Sequence, residues 1–140
     1  TVSILVDEML ETMTRIVSNL MVNEKTRDAV TDVFIILDTR DVARIGTVLK
    51  NPLEMGTVAA ASIANYFIKR RDSVSLVTYG ERMDFLPPET GDKQHYKVLS
   101  QLAAVESRGS MPLQAVTNAL SPRISRGSPV FIISSLDNGQ

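Results

Sequence analysis

Residues Val33-Phe34-Ile35-Ile36-Leu37 form an unbroken apolar run that ends abruptly on a carboxylate, Asp38, followed by Thr39-Arg40-Asp41-Val42. An apolar run of this length, rich in β-branched side chains, predicts a strand buried on both faces, as in a parallel sheet. A second such run, Val130-Phe131-Ile132-Ile133, closes on Ser134-Ser135. Ligands of parallel sheets bind just beyond the carboxyl ends of the strands. Asp38 therefore stands where a site is expected, and its neighbours decide what kind.

Between the two runs the chain reads as helix, strand, hairpin and two helices. Asn51-Pro52-Leu53-Glu54 is a helix start, with Asn as N-cap, Pro at the first helical position and Glu at the third. This helix is expected to run to about Arg70. Gly56, Ala59, Ala60, Ala61 and Ala64 let it approach a sheet closely, Ile63, Phe67 and Ile68 add bulk, and Lys69-Arg70-Arg71 offsets the C-terminal dipole. Residues 74–79 predict the next strand. Gly80-Glu81 suits a tight hairpin with Gly at the first central position, and residues 82–86 return until Pro87-Pro88 ends them. Residues 92–105 carry Tyr96, Leu99, Leu102 and Ala103 at helical spacing, and 112–124 predict another helix. The order implies an α/β fold: an open, mostly parallel, Rossmann-like sheet with one antiparallel hairpin strand and helices on both faces.

The N-terminal stretch is of another kind. Ile4, Leu5, Met9, Leu10, Met13, Ile16, Val17, Leu20 and Met21 recur at helical spacing, with Asp7, Glu8, Glu11 and Arg15 mainly between them. An amphipathic helix is expected, although Leu20-Met21-Val22 reads equally as a short edge strand. The chain is thus divided into a helix or edge segment over residues 1–24 and an α/β domain over residues 25–140. The helix packs within the domain, pairs with a second copy to give a homo-oligomer, or pairs with another segment of the full protein. The chain starts at Thr1 and stops soon after a strong strand, so it reads as a piece of a longer protein, its α/β unit partial at the C-terminus. Any targeting or membrane-anchoring segment would lie outside these residues.

Composition removes several functions. Fifteen Lys+Arg against 16 Asp+Glu give a net charge of −1, without the basic footprint of a nucleic-acid binder. The absence of cysteine excludes a disulfide framework, a thiolate metal site and a cysteine nucleophile, and a cytoplasmic setting fits. No stretch reaches the ~18 uninterrupted apolar residues of a membrane span. No phosphate-loop or G-x-G-x-x-G sequence occurs, and Ser134-Ser135 lacks the context of a nucleophile elbow. His95 beside Asp92 and Lys93 reads as a surface helix start. With neither a base–nucleophile pair nor paired catalytic carboxylates, no catalytic residue is assigned and no enzyme is expected.

Four stretches carry a likeness to known proteins: Leu20-Met21-Val22-Asn23-Glu24, residues 33–38, Asp72-Ser73-Val74-Ser75-Leu76-Val77-Thr78-Tyr79-Gly80, and Ile132-Ile133-Ser134-Ser135. In their order and spacing, from about Leu20 to Asp137, the chain resembles a von Willebrand factor A-like domain. More closely, it resembles the prokaryotic domain-of-unknown-function family fifty-eight. The resemblance implies a divalent cation, usually magnesium, over the C-terminal sheet edge. Its ligands in such domains are an Asp-x-Ser-x-Ser after the first strand, a Thr from a later loop and an Asp after the fourth strand. Hard oxygens from separate loops leave one position open for a partner's carboxylate.

Carried over onto this chain, Asp38 matches the first carboxylate, while Arg40 and Val42 stand where the two serines should be. Ser110 falls near the loop Thr, with one residue extra. Ser135 takes the place of the second Asp, and Asp137 follows two residues later. A guanidinium beside a divalent ion is electrostatically unfavourable. The expectation is a degenerate adhesion site, with Asp38, Ser110 and Asp137 as its remaining metal-ligating candidates, magnesium weak or absent, and no other cofactor. Arg40 then has two readings. It points into solvent from a surface loop, or it takes the cation's place, pairing with Asp38 or Asp41 and offering its fork to a partner's carboxylate. The function implied is a non-enzymatic protein-protein interaction or adaptor module associated with a MoxR-type AAA+ ATPase. Its partner-binding edge would be Asp38, Arg40, Asp41, Ser110 and Ser135. The alternative is a divalent-cation-dependent protein-binding domain with a divergent ion site.

Overall fold

A computed structural model describes residues 2–5, 31–40, 52–106, 108–125 and 127–134 of the chain. Five strands, β1 (Val2–Leu5), β2 (Asp32–Asp38), β3 (Ser73–Tyr79), β4 (Met83–Glu89) and β5 (Val130–Ser134), form one sheet in the order β1-β5-β2-β3-β4. The β1–β5, β5–β2 and β2–β3 pairs are parallel and β3–β4 is antiparallel, so the open mixed sheet expected from the sequence is present. Helices α1 (Pro52–Lys69), α2 (Asp92–Ala103) and α3 (Leu113–Leu120) flank it, the last running into a 3-10 turn at Ser121–Arg123. No helix among the described residues is long and apolar enough to cross a membrane.

The sheet divides the interior into two cores because successive side chains of a strand point to opposite faces. Val33, Ile35 and Leu37 of β2 pack with Val74 and Leu76 of β3, with Ile63 and Phe67 of α1, and with Val98 and Leu102 of α2. Ile36, Val77 and Tyr79 face the other way, onto Val116 and Leu120 of α3. Each large apolar side chain so buried contributes about 1.5–3 kcal/mol. Gly56 lets α1 ride close to β2: a Cβ there would stand 3.0 Å from Leu37 Cδ1.

Several expectations are corrected. Ile4 and Leu5 belong to strand β1, in register with Ile133 and Ser134, and not to a helix. The open parallel edge of β5 offers these residues a ladder, which overrides local periodicity. The rest of the expected N-terminal helix, Leu20-Met21-Val22 and the N-cap Asn51 lie outside the described residues. The hairpin loop has three residues, not two, because Tyr79 pairs with Met83.

Pro87 and Pro88 lie inside β4 rather than ending it. An edge strand tolerates proline because one side of it needs no ladder partner. The register shifts there, between Val74 and Leu76. Gln94 secures the irregularity, its Nε2 donating to Val74 O at 2.7 Å and Pro87 O at 2.9 Å. These bonds turn α2 so that Gln94, Val98 and Leu102 face inward, leaving Tyr96 72% exposed and Leu99 exposed as well. Helix α3 is shorter than expected: Pro122 has no N–H for the ladder, and the chain tightens to a 3-10 turn.

Candidate functional site at the carboxyl edge of the sheet

Strand β2 delivers Asp38 to the carboxyl edge, opposite Tyr79 of β3 and beside the end of β5, where Leu37 pairs with Ile133. The Asp38 side chain is 1% exposed and is surrounded by donors. Its Oδ1 accepts from the Arg40 amide and from Arg40 Nε, both at 2.9 Å. Its Oδ2 accepts from Arg40 Nη2 and from Ser134 Oγ, both at 2.7 Å. A carboxylate has about four lone-pair positions, so this one is saturated.

Arg40 is equally enclosed, its side chain 8% exposed and its guanidinium carbon 5.4 Å from the centre of the Tyr79 ring. The hydrogen bond to Asp38 raises its pKa above the usual arginine value although burial works against that. Burial first, and then the negative charge of Asp38, pushes the Tyr79 phenol well above its ordinary range. Its buried hydroxyl has no hydrogen-bond partner among the described residues.

Of the two readings of Arg40, the solvent-pointing one is overturned. A residue two positions beyond a carboxylate can fold its fork back onto both oxygens, and the aromatic face of Tyr79 lies ready for the guanidinium plane. Arg40 therefore turns Nε and Nη2 inward instead of offering them to a partner. Ser134 joins the pair. Asp41, Val42, Ser135 and Asp137 lie outside the described residues, and Ser110 is exposed and is not among the four donors of Asp38.

The donor set can be tested against the divalent cation that the resemblance implies. Such an ion needs free lone pairs on hard oxygens and surplus negative charge. At Asp38 every lone pair has a donor, and a guanidinium already balances the charge. Among the described residues no group of three or more His, Asp or Glu is placed to hold a metal. The described residues do not fit a divalent ion at this carboxylate.

The sequence matches the model of the family described as Protein of unknown function DUF58 over residues 12–138. The chain belongs to the DUF58 family. No curated protein matches it.

Beside the buried pair of this DUF58 domain opens a polar cleft of about 520 Å³, whose lining includes Thr39, Thr78, Gly80, Val105, Glu106 and Arg108. Thr39 is its junction. The Thr39 amide and Oγ1 donate to Tyr79 O at 2.7 and 2.9 Å, and its carbonyl accepts from the Arg108 amide at 3.0 Å. The Gly80 carbonyl accepts from the Met111 amide at 2.8 Å. Gly109, at φ +87°, and Gly80 permit this close approach, because a Cβ at either position would run into backbone of the facing loop. Gln101 Nε2 donates to Thr78 Oγ1 at 3.1 Å and ties α2 to the cleft.

The cleft rim carries charge of both signs. Arg108 pairs with Glu106 and, at 3.7 Å, with Glu81, while Arg82 lies 3.5 Å from Asp84. All five side chains are more than half exposed, so these pairs add little stability and remain available to water or a partner. Asp38 and Arg40 are legible in the sequence as site residues, whereas Thr39, Tyr79 and Arg108 are not. Register was the missing signal: aligning the ends of the parallel strands puts Tyr79 and Ser134 on either side of Asp38.

Proposed function

We propose that this domain is a non-enzymatic protein-interaction module in which an internal arginine has replaced a metal ion. The observation that carries the reading is the saturated Asp38 carboxylate, held by both nitrogens of the Arg40 fork, the Arg40 amide and Ser134 Oγ. A pre-neutralised carboxylate that is 1% exposed is a poor acid, base or nucleophile, and a good structural post for the loops around it. The exposed charges of the surrounding rim supply the chemistry for recognising a protein surface. The resemblance supplies the partner class, a MoxR-type AAA+ ATPase, with the domain as its adaptor.

Two experiments test this. The first passes a purified, nucleotide-free MoxR-type ATPase over the immobilised domain in buffer containing EDTA. Saturable binding is expected, and its absence in EDTA with recovery in magnesium would favour the alternative, cation-dependent reading through Asp38, Ser110 and Asp137. The second restores the serines of the family pattern in R40S/V42S. Calorimetric titration is expected to show magnesium binding in the variant well above that of the wild-type chain. Equal magnesium affinity in the two proteins would sink the idea that Arg40 stands in for the ion.

A further inference from the structure

One peptide unit connects the buried pair to the cleft. The N–H between Thr39 and Arg40 donates to Asp38 Oδ1 at 2.9 Å, and the carbonyl of that same unit accepts from the Arg108 amide at 3.0 Å. A peptide is planar, so fixing the direction of its N–H fixes the direction of its C=O. The Asp38 carboxylate cannot rotate away, because Arg40 Nε and Nη2 hold both of its oxygens and Ser134 Oγ holds one of them a second time. The neighbouring peptide is anchored too, through the Thr39 amide on Tyr79 O at 2.7 Å. The segment from Arg108 to Met111 has two described main-chain hydrogen bonds to this edge, the Arg108 amide on Thr39 O and the Met111 amide on Gly80 O.

We propose that Asp38 and Arg40 are positioning residues: an internal strut that aims the Thr39 carbonyl at the Arg108 amide and so holds one wall of the charged cleft in place. The pair itself is out of reach of any partner, at 1% and 8% exposure, whereas Arg108, Glu106 and Glu81 on the wall and rim are open. The strut gives the interaction-module reading its geometry. A charged polypeptide segment of the partner meets the cleft, and the pair behind it fixes the spacing of the charges it meets. This rests on that reading for its purpose, but the strut is measurable with no partner present.

The experiment is amide hydrogen exchange by NMR on the wild-type domain and two double variants. D38A/R40M removes both charges and the acceptor for the position-40 amide. D38N/R40M also removes both charges but keeps an oxygen in the acceptor's place. In D38A/R40M the Arg108 and Met111 amides are expected to exchange at least about tenfold faster than in the wild type, the loss of roughly one hydrogen bond's worth of local stability. The Asp72 amide, bonded to Phe67 O at the opposite edge of the sheet, is expected to be unchanged. D38N/R40M is expected to bring the Arg108 amide back to within about threefold of the wild-type rate.

Unchanged Arg108 exchange in D38A/R40M overturns the proposal, and so does failure of D38N/R40M to restore it. Should D38A/R40M not fold, D38L/R40M fills the same space with apolar atoms and is judged by the same two rates. Loss of partner binding with normal strut behaviour would instead count against the interaction reading alone.

Discussion

Replacing Arg40 by methionine keeps most of the side chain's length and removes its charge, leaving Asp38 buried with two of its four donors. Two charge-assisted hydrogen bonds disappear, each contributing about 1.5–3 kcal/mol, together with a cation–π contact of roughly 0.5–2 kcal/mol. Releasing a long side chain recovers up to about 2 kcal/mol of rotamer entropy. The Arg40 amide and Ser134 Oγ still hold the carboxylate, so the loss belongs at the lower end of the ~3–5 kcal/mol seen when one member of a buried pair is removed. We expect R40M to lose about 3 kcal/mol at neutral pH. With a urea m-value of roughly 2 kcal/mol/M for a domain of this size, the midpoint falls by about 1.5 M. D38N/R40M leaves no buried charge and is expected within about 1 kcal/mol of the wild type. The double-mutant cycle over R40M, D38N and D38N/R40M should then show a coupling of about 2 kcal/mol or more. A loss below about 1 kcal/mol in R40M, or a double variant as unstable as the sum of the singles, would refute the argument that the pair acts as a unit.

Other consequences are simpler to check. The Tyr79 phenol is held above its ordinary pKa in the folded chain, so its neutral form favours folding. That stability is intact below the unfolded-state pKa of about 10 and is lost as pH rises beyond it, and Y79F should flatten this alkaline limb of the urea midpoint against pH. G80A and G109A force a Cβ against the backbone of the facing loop and should each cost about 2 kcal/mol in urea unfolding, G109A also straining a backbone at φ +87°. Q94L leaves the carbonyls of Val74 and Pro87 without their donor, and a melting curve should show about 2–3 kcal/mol lost. R108E lies on the exposed rim and should change stability by less than about 0.5 kcal/mol while weakening the proposed binding of a MoxR-type ATPase at least about tenfold in a surface-binding assay.

The parts of this fold that were legible in the sequence are those where burial acts on consecutive residues. β2 and β5 are covered by their neighbours and written as continuous apolar runs, and α1 declares itself through its start signal and the small residues that hug the sheet. β1 is too short to outweigh a helical periodicity that runs through it, because its strand identity comes from β5. β4 continues through two prolines because an edge strand needs only one set of partners. The inward face of α2 was hidden by chemistry: its anchor is Gln94, a polar residue that apolar spacing does not count, while Tyr96 and Leu99 drew the expected stripe to the wrong side.

The site was half visible. Asp38 announced itself by position, and pairing with Arg40 was one of two open readings. Thr39 acts chiefly through its main chain, which its side-chain identity does not show, and Tyr79 meets Arg40 only once two strands forty-one residues apart are set in register.

The central claim is that this edge keeps its shape without a metal because Arg40 supplies the positive charge that neutralises Asp38, so that the proposed partner binding needs no ion. The most direct test is a pull-down with the full-length protein, performed in parallel with magnesium and with excess EDTA. The account predicts that the partner is retained to the same extent in both. Loss of the partner in EDTA, with recovery when magnesium is returned, would contradict it.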